Sequence, residues 1–219
     1  MCDFIYFKRM GRRISLFAIF YLVAILCGCG SSTAPISTPL VRPGVGSLFF
    51  IHTYDLDSNG AKRLGVEWFD TVTVLATGMS FQGRNNVSGF RWLNDDSDIG
   101  HVSYDANGDW SLFKESDDRN RWITFQLSEK GSSSHQYDTT YLIANTPYHD
   151  RGSDTCSYIG EGVSVINGQS ISVSKFRVVD RYLNAADDYT EEDWIAPQLG
   201  FWVSSRGEKL MEVTGYVLK

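Results

Sequence analysis

The chain has 219 residues, with 20 basic against 26 acidic side chains and a formal charge of −6. An acidic chain without basic clusters lacks the cationic surface with which nucleic-acid binders displace counterions, so that function class is excluded. The same balance argues against an electrostatic grip on anionic lipid.

The first element is an export signal. Lys8, Arg9, Arg12 and Arg13 form a positive start, and an apolar run from Ile14 to Leu26 follows, broken only by Ser15. Its 13 residues suit the apolar region of a signal peptide. They fall short of the roughly 20 that a transmembrane helix needs. Leu26-Cys27-Gly28-Cys29 comes next. This tetrad resembles the lipobox of bacterial lipoproteins, which is read by signal peptidase II. The resemblance implies a diacylglyceryl group on the Cys29 thiol, cleavage between Gly28 and Cys29, and acylation of the freed amine with a fatty acid such as palmitate. One acyl chain anchors marginally and two or more hold stably, since each buried methylene contributes about 0.8 kcal/mol. Gly30 and Ser31 follow the cysteine, and the absence of Asp there favours the outer membrane. A start at Met10 would give a more ordinary signal than Met1.

Removing residues 1–28 takes away four of the 20 basic residues and one of the 26 acidic ones, which leaves about −9. Of Cys2, Cys27, Cys29 and Cys156, the lipid consumes Cys29 and only Cys156 remains as a thiol. No intrachain disulfide is then available, and a domain of this size can bury enough surface without one. Residues 29–46 hold three of the five prolines among Gly, Ser and Thr, a linker composition that builds no core. A single domain is expected over 47–219.

Within that domain the hydrophobic period is two. Leu48, Phe50 and Tyr54 alternate with Phe49, Ile51 and Thr53; Val72 and Val74 alternate with Thr71 and Thr73. Ile123, Phe125 and Leu127 alternate with Thr124, Gln126 and Ser128. Such alternation marks strands. Turns are signalled at Ser58-Asn59-Gly60, Ala106-Asn107-Gly108, Ile166-Asn167-Gly168 and Ser205-Arg206-Gly207, where Gly and Asn supply positive φ. The expected fold is all-β: a mostly antiparallel meander of about ten strands forming a curved sheet or incomplete barrel. One stretch breaks phase. Ile171 and Val173 share a face that Phe176 and Val178 do not, so either a bulge lies near Ser174–Lys175 or the strand is buried on both faces. Thr190-Glu191-Glu192-Asp193-Trp194 reads as an N-capped turn of helix that Pro197 stops.

The search for chemistry returns no nucleophile elbow, zinc-protease helix, phosphate loop or paired-cysteine motif. No cofactor is expected. His52, His101, His135 and His149 lack metal-ligand spacing. His149 and Cys156 are expected in one loop, HDRGSDTC, but nothing in it orients them as a catalytic pair. Asp95-Asp96-Ser97-Asp98, Asp117-Asp118 and Asp187-Asp188 read as polar turns. Asp55-Leu56-Asp57-Ser58-Asn59-Gly60 matches the first half of a calcium loop, although Val66 stands where the closing Glu belongs. The same residues also suit a metal-free hairpin. Six tryptophans, Trp68, Trp92, Trp110, Trp122, Trp194 and Trp202, could fill a core, line an apolar concavity or stack on sugars.

The C-terminal run holds Trp194, Pro197 and Gly200, then Gly207 and Leu210. It resembles the closing hairpin of a broad group of envelope lipoproteins, some similar to the lipoprotein-localisation carriers. That resemblance implies a curved half-barrel able to wrap apolar chains, and no catalytic residues. The functional expectation is a non-enzymatic domain, lipid-anchored in the bacterial envelope, that takes an apolar ligand or an envelope protein partner. A carbohydrate-active or sugar-binding module using exposed Trp and carboxylates is the alternative.

Overall fold

The computed structural model describes residues 40–93, 99–114, 122–143, 146–182 and 188–219. Leu26–Cys29, with the cleavage and lipidation positions Gly28 and Cys29, lies outside the described residues, as do Asp95–Asp98, Asp117-Asp118 and Asp187.

The alternating segments form twelve strands: β1 (Leu48–Leu56), β2 (Lys62–Phe81), β3 (Arg84–Trp92), β4 (Ile99–Tyr104), β5 (Trp110–Lys114) and β6 (Ile123–Phe125), then β7 (Ser132–Ile143), β8 (Thr146–Ile166), β9 (Gln169–Tyr182), β10 (Tyr189–Ala196), β11 (Phe201–Arg206) and β12 (Lys209–Val217). They make one antiparallel sheet in the order β6-β5-β4-β3-β2-β1-β12-β11-β10-β9-β8-β7. Every strand but the pair β6 and β7 therefore lies beside its sequence neighbour, and β1 pairs with β12 along Leu48–Asp55 and Lys209–Val217. The result is an up-and-down barrel, closed everywhere except between β6 and β7. Across that seam the Ser133 hydroxyl donates to the Thr124 carbonyl, and Phe125 meets Phe176 edge-on at 5.3 Å between centroids.

The twelve strands agree with the expected meander of about ten, and β6, read from the alternation at Ile123 and Phe125, is only three residues long. The helical turn expected at Thr190–Trp194 is corrected: these residues lie in β10. Glu191, Asp193 and Ile195 alternate onto the buried face, so a period of two overrides the acidic capping pattern. The bulge expected in β9 near Ser174–Lys175 lies instead on the facing strand, and β9 itself is buried in both phases, at Ile171 and Val173 and again at Phe176 and Val178. Ile159 of β8 is the extra residue opposite the Lys175–Phe176 step. Val203 of β11 and Thr214 of β12 are likewise extra against β10 and β1. Extra residues bend strands and increase twist, which lets β2 and β8, with 20 and 21 residues, wrap around the core.

The interior is filled by Phe49, Val74, Phe90, Tyr104, Trp110, Phe125, Phe176, Ile195 and Phe201. A second apolar layer lies outside β3–β5, where Phe81 at the end of β2 stacks on His101 at 3.7 Å and meets Phe113 and Trp122.

One boundary moves. Leu40–Gly46, assigned to the linker by composition, is tied to the barrel's lower end, where the 104–110, 125–132, 166–169 and 196–201 turns lie. Val41 N–H donates to the Pro197 carbonyl at 2.7 Å, Gly44 N–H to Lys219 at 3.1 Å and Gly46 N–H to Val74 at 2.9 Å. Pro43 is buried and Arg42 lies over the Tyr104 ring. Among the described residues, Leu40–Gly46 belongs to the same compact unit as the barrel. Backbone hydrogen bonds hold this strap, and composition does not report them. A chain starting at Thr38 is expected to melt with one starting at Gly30, whereas one starting at Ser47 loses the three backbone bonds from strap to barrel, about 3 kcal/mol and on the order of 10 °C. Differential scanning calorimetry of the three chains decides it, and equal melting of all three would return the strap to the linker.

Candidate functional site

Alternation on β2–β5 turns Val72, Phe90, Trp92, Val102, Trp110 and Leu112 inward. Phe201 and Trp202 from β11, Met211 from β12 and Phe125 from β6 face them. Together they line a cavity of about 270 Å³ inside the barrel. Most of these side chains are aromatic. Trp92 and Trp202 stand with ring centroids 6.4 Å apart, and Trp202 stacks on Phe201 at 5.2 Å. The base of this space is fixed by hydrogen bonds: Tyr104 Oη donates to the Gly200 carbonyl at 2.8 Å and Trp110 Nε1 at 3.2 Å. Such double donation satisfies two polar tips that an apolar interior would otherwise strand.

Three polar residues also border the cavity: Arg91, Asp193 and Ser205. Asp193 and Ser205 are register partners on β10 and β11. Asp193 belongs to an acidic wall with Asp154, Asp180 and Glu191, all buried on β8–β10. Asp154 faces Asp180 across the ladder, and Tyr137 Oη donates to Asp180 at 3.0 Å. Cys156 sits within this wall, opposite Val178.

The other sequence candidates are not assembled into a site. His149 and Cys156 lie on strand β8, not in a loop. His149 is exposed and pairs with Asp138 at 3.1 Å, while Cys156 is buried. Asp57 Oδ1 accepts the N–H groups of Asn59 and Ala61 at 2.9 Å each, and Asp105 Oδ1 does the same for Asn107 and Asp109. Both are Asx turns closed by a positive-φ glycine, Gly60 and Gly108. No group of three or more ligating side chains with metal-site geometry occurs among the described residues. Trp122 lies beneath Arg84 at 4.8 Å. Trp68 is 40% exposed, with Lys209 over its ring at 4.6 Å. The cavity's polar border escaped sequence reasoning. Its one available signal was the alternation of Glu191, Asp193 and Ile195, which the helical reading concealed.

Burial holds the Cys156 thiol protonated well above its ordinary range, and the charges of Asp193, Asp154 and Glu191 add to the effect. Burial likewise raises the Tyr104 phenol, against smaller opposing contributions from Trp110 and Arg42. Both groups bind their protons more tightly folded than unfolded. Their contribution is therefore complete below the unfolded pKa and lost as pH rises above it. Stability is expected to fall from about pH 9 upward, by about 1.4 kcal/mol per pH unit for each group once its unfolded form ionises. Urea unfolding between neutral pH and pH 11 measures the slope, and a flat profile would contradict it. Alkylation of Cys156 should be correspondingly slow until denaturant is added.

No protein-family model matches the chain, and no curated protein does. Among solved structures it is similar to the hypothetical lipoprotein YmcC from Escherichia coli, with 14% identity, a TM-score of 0.42, and coverage of 81% of this chain and 89% of that one. A proposed exported protein with YmcC-like fold from Bacteroides fragilis is similar at 9% identity and TM-score 0.41, covering 81% and 98%. A proposed lipoprotein from Parabacteroides distasonis follows at 8% and 0.38, covering 82% and 99%. At these identities and superpositions the likeness transfers neither a function nor a site.

Proposed function

We propose that this chain is a lipid-anchored protein of the bacterial envelope, in the outer membrane, whose barrel interior holds a small apolar ligand without transforming it. The aromatic cavity of about 270 Å³ carries the reading. Apolar cavities with a few convergent polar groups are the usual form of small-molecule sites, and this one falls just below their usual range of about 300–1,000 Å³. The anchor rests on Leu26-Cys27-Gly28-Cys29, and the strap at Leu40–Gly46 joins that tether to the barrel's base. For the alternative, a sugar module, an exposed aromatic strip beside paired carboxylates would be needed. Among the described residues Trp68 is the one tryptophan in the exposed large apolar set.

Native mass spectrometry of the chain purified from its own host tests the cavity, with a retained apolar molecule of fixed mass as the expected result. Labelling cells with a palmitate analogue tests the anchor. Label is expected on the wild type and absent from Cys29→Ser, which should accumulate as unprocessed precursor. Equal label on both would remove the anchor from the proposal.

A further inference from the structure

We propose that the lower end of the barrel docks on the lipid bilayer that holds the Cys29 anchor, with Val45, Val163, Val165, Val217 and Leu218 entering the membrane interface. This goes beyond tethering and rests on the reading of Cys29 as lipidated.

These five side chains are exposed, and pairing brings the segments that carry them together. Leu48 of β1 stands opposite Val217, and Lys219 N–H donates to Ser47 Oγ at 3.0 Å, so the end of β12 lies against the strap that carries Val45. The β8–β9 turn reaches the same place. Asn167 Nδ2 donates to the Tyr216 carbonyl at 3.0 Å, and a Cβ on Gly215 would lie 2.8 Å from Asn167 Oδ1 and 3.1 Å from Phe50 Cδ2. Val163 and Val165 stand on the strand entering that turn, 59% and 68% exposed, while Ile166 beside them is buried.

The four segments also share an absence of charge. Residues 43–51, 71–75, 162–174 and 213–218 include no Asp, Glu, Lys or Arg, in a chain of which 21% is charged. Their polar groups are hydroxyls and amides, and Tyr216, whose Oη donates to Gln169 at 3.3 Å, is of the ring type enriched at membrane–water boundaries. Clustered exposed apolar residues mark membrane or protein contacts. The tether selects the membrane. Leu40 follows Cys29 by eleven residues, which fully extended reach at most about 40 Å. The strap fixes the chain's entry at this end of the barrel, so the anchoring leaflet lies within that reach of the uncharged face. A face without charge also enters the interface with no ion to desolvate and no carboxylate to meet anionic headgroups.

The lipidated chain in phosphatidylcholine vesicles tests the docking, with an environment-sensitive dye on one introduced cysteine and a nitroxide quencher on the lipid acyl chains. Cys156 is buried, which leaves the introduced thiol as the reactive one. Dyes at Val165→Cys and Val217→Cys are expected to shift to shorter wavelength. They should be quenched at least about twofold more than a dye at Leu64→Cys, at the barrel's other end, since a docked apolar face reaches roughly 5–10 Å into the headgroup and acyl boundary. High salt should leave the quenching unchanged, because no charge makes the contact. Val163→Asp combined with Val165→Asp should return the Val217→Cys dye to water while Cys29 still takes up the palmitate analogue. If all three dyes report water although Cys29 carries its lipid, the docking is overturned and the anchor stands. Equal quenching of the three would show no preferred face and overturn it too. A shift without quenching by the lipid would put a second protein over the face, which also overturns it. An unlipidated Cys29 would remove the anchor and the docking together.

Discussion

Gly200→Ala is expected to destabilise the barrel by about 3–5 kcal/mol, a large share of the stability of a domain this size. Three effects converge there. Gly200 has a φ of +59, where a Cβ costs about 1–2 kcal/mol. A Cβ at this position would collide with the Val41 carbonyl oxygen and lie 3.0 Å from Pro43 Cδ, so the strap must move. The Gly200 carbonyl also accepts from Tyr104 and Trp110, and displacing it endangers two buried hydrogen bonds. The steric share can be isolated. In a chain beginning at Gly44, which lacks Val41 and Pro43, the penalty should fall to about 1–2 kcal/mol, the cost of positive φ alone. Urea unfolding of the four chains measures the difference. An equal penalty in both backgrounds would mean that the strap does not press on Gly200, and its role in closing the barrel's base would be lost.

The strap shows where sequence reasoning ran short. Leu40–Gly46 reads as linker because Pro, Gly and Ser cannot build a core, yet its backbone N–H groups complete the base of the barrel. Composition reports side chains, and these bonds are made by main chain. The converse holds for β1 and β2: period alone announced both strands, and on β2 it also separated Val72 and Val74 from Thr71 and Thr73, whereas on β1 both phases are apolar and only the structure shows that Phe49 and Ile51 are the buried ones. The turns at Asn59-Gly60, Asn107-Gly108 and Asn167-Gly168 were legible because positive φ restricts what can stand there. Thr190–Trp194 was misread since an acidic first turn after Thr is also what a strand looks like when its inward side chains are carboxylates. That error hid the cavity's chemical border, because Asp193 and Ser205 meet only once β10 and β11 are paired. A lumen in a twelve-stranded barrel is made of residues far apart in the chain, and no local pattern encodes their meeting.

Phe49→Ala is expected to cost about 3–5 kcal/mol, and to change what the cavity holds as well as how firmly the barrel stands. Phe49 is fully buried on β1. It stacks on Phe201 at 4.1 Å with 17° between the ring planes, and Phe90 lies 6.4 Å away. Phe90 and Phe201 themselves meet at 5.0 Å, and both line the cavity. Phe49 is thus the layer beneath the cavity, supporting two of its walls from the side of the strap. Removing its ring forfeits the transfer energy of the side chain and the ring pairing, about 0.5–1.5 kcal/mol of the total, and leaves a void that close-packed neighbours fill only in part. The void would be lined by apolar atoms, and apolar voids stay dry and accept small aromatics. Benzene or indole should therefore raise the melting temperature of Phe49→Ala by several degrees more than that of the wild type, because a ligand that binds only the folded state at 100 times its dissociation constant adds about 2.7 kcal/mol. Phe49→Leu, which keeps most of the volume, should lose far less stability and show no such response. If the aromatic ligand stabilises wild type and Phe49→Ala alike, the ring of Phe49 does not bound the cavity and the lumen is organised around other residues. If Phe49→Ala melts with the wild type, the Phe49–Phe90–Phe201 cluster is not part of the barrel's core.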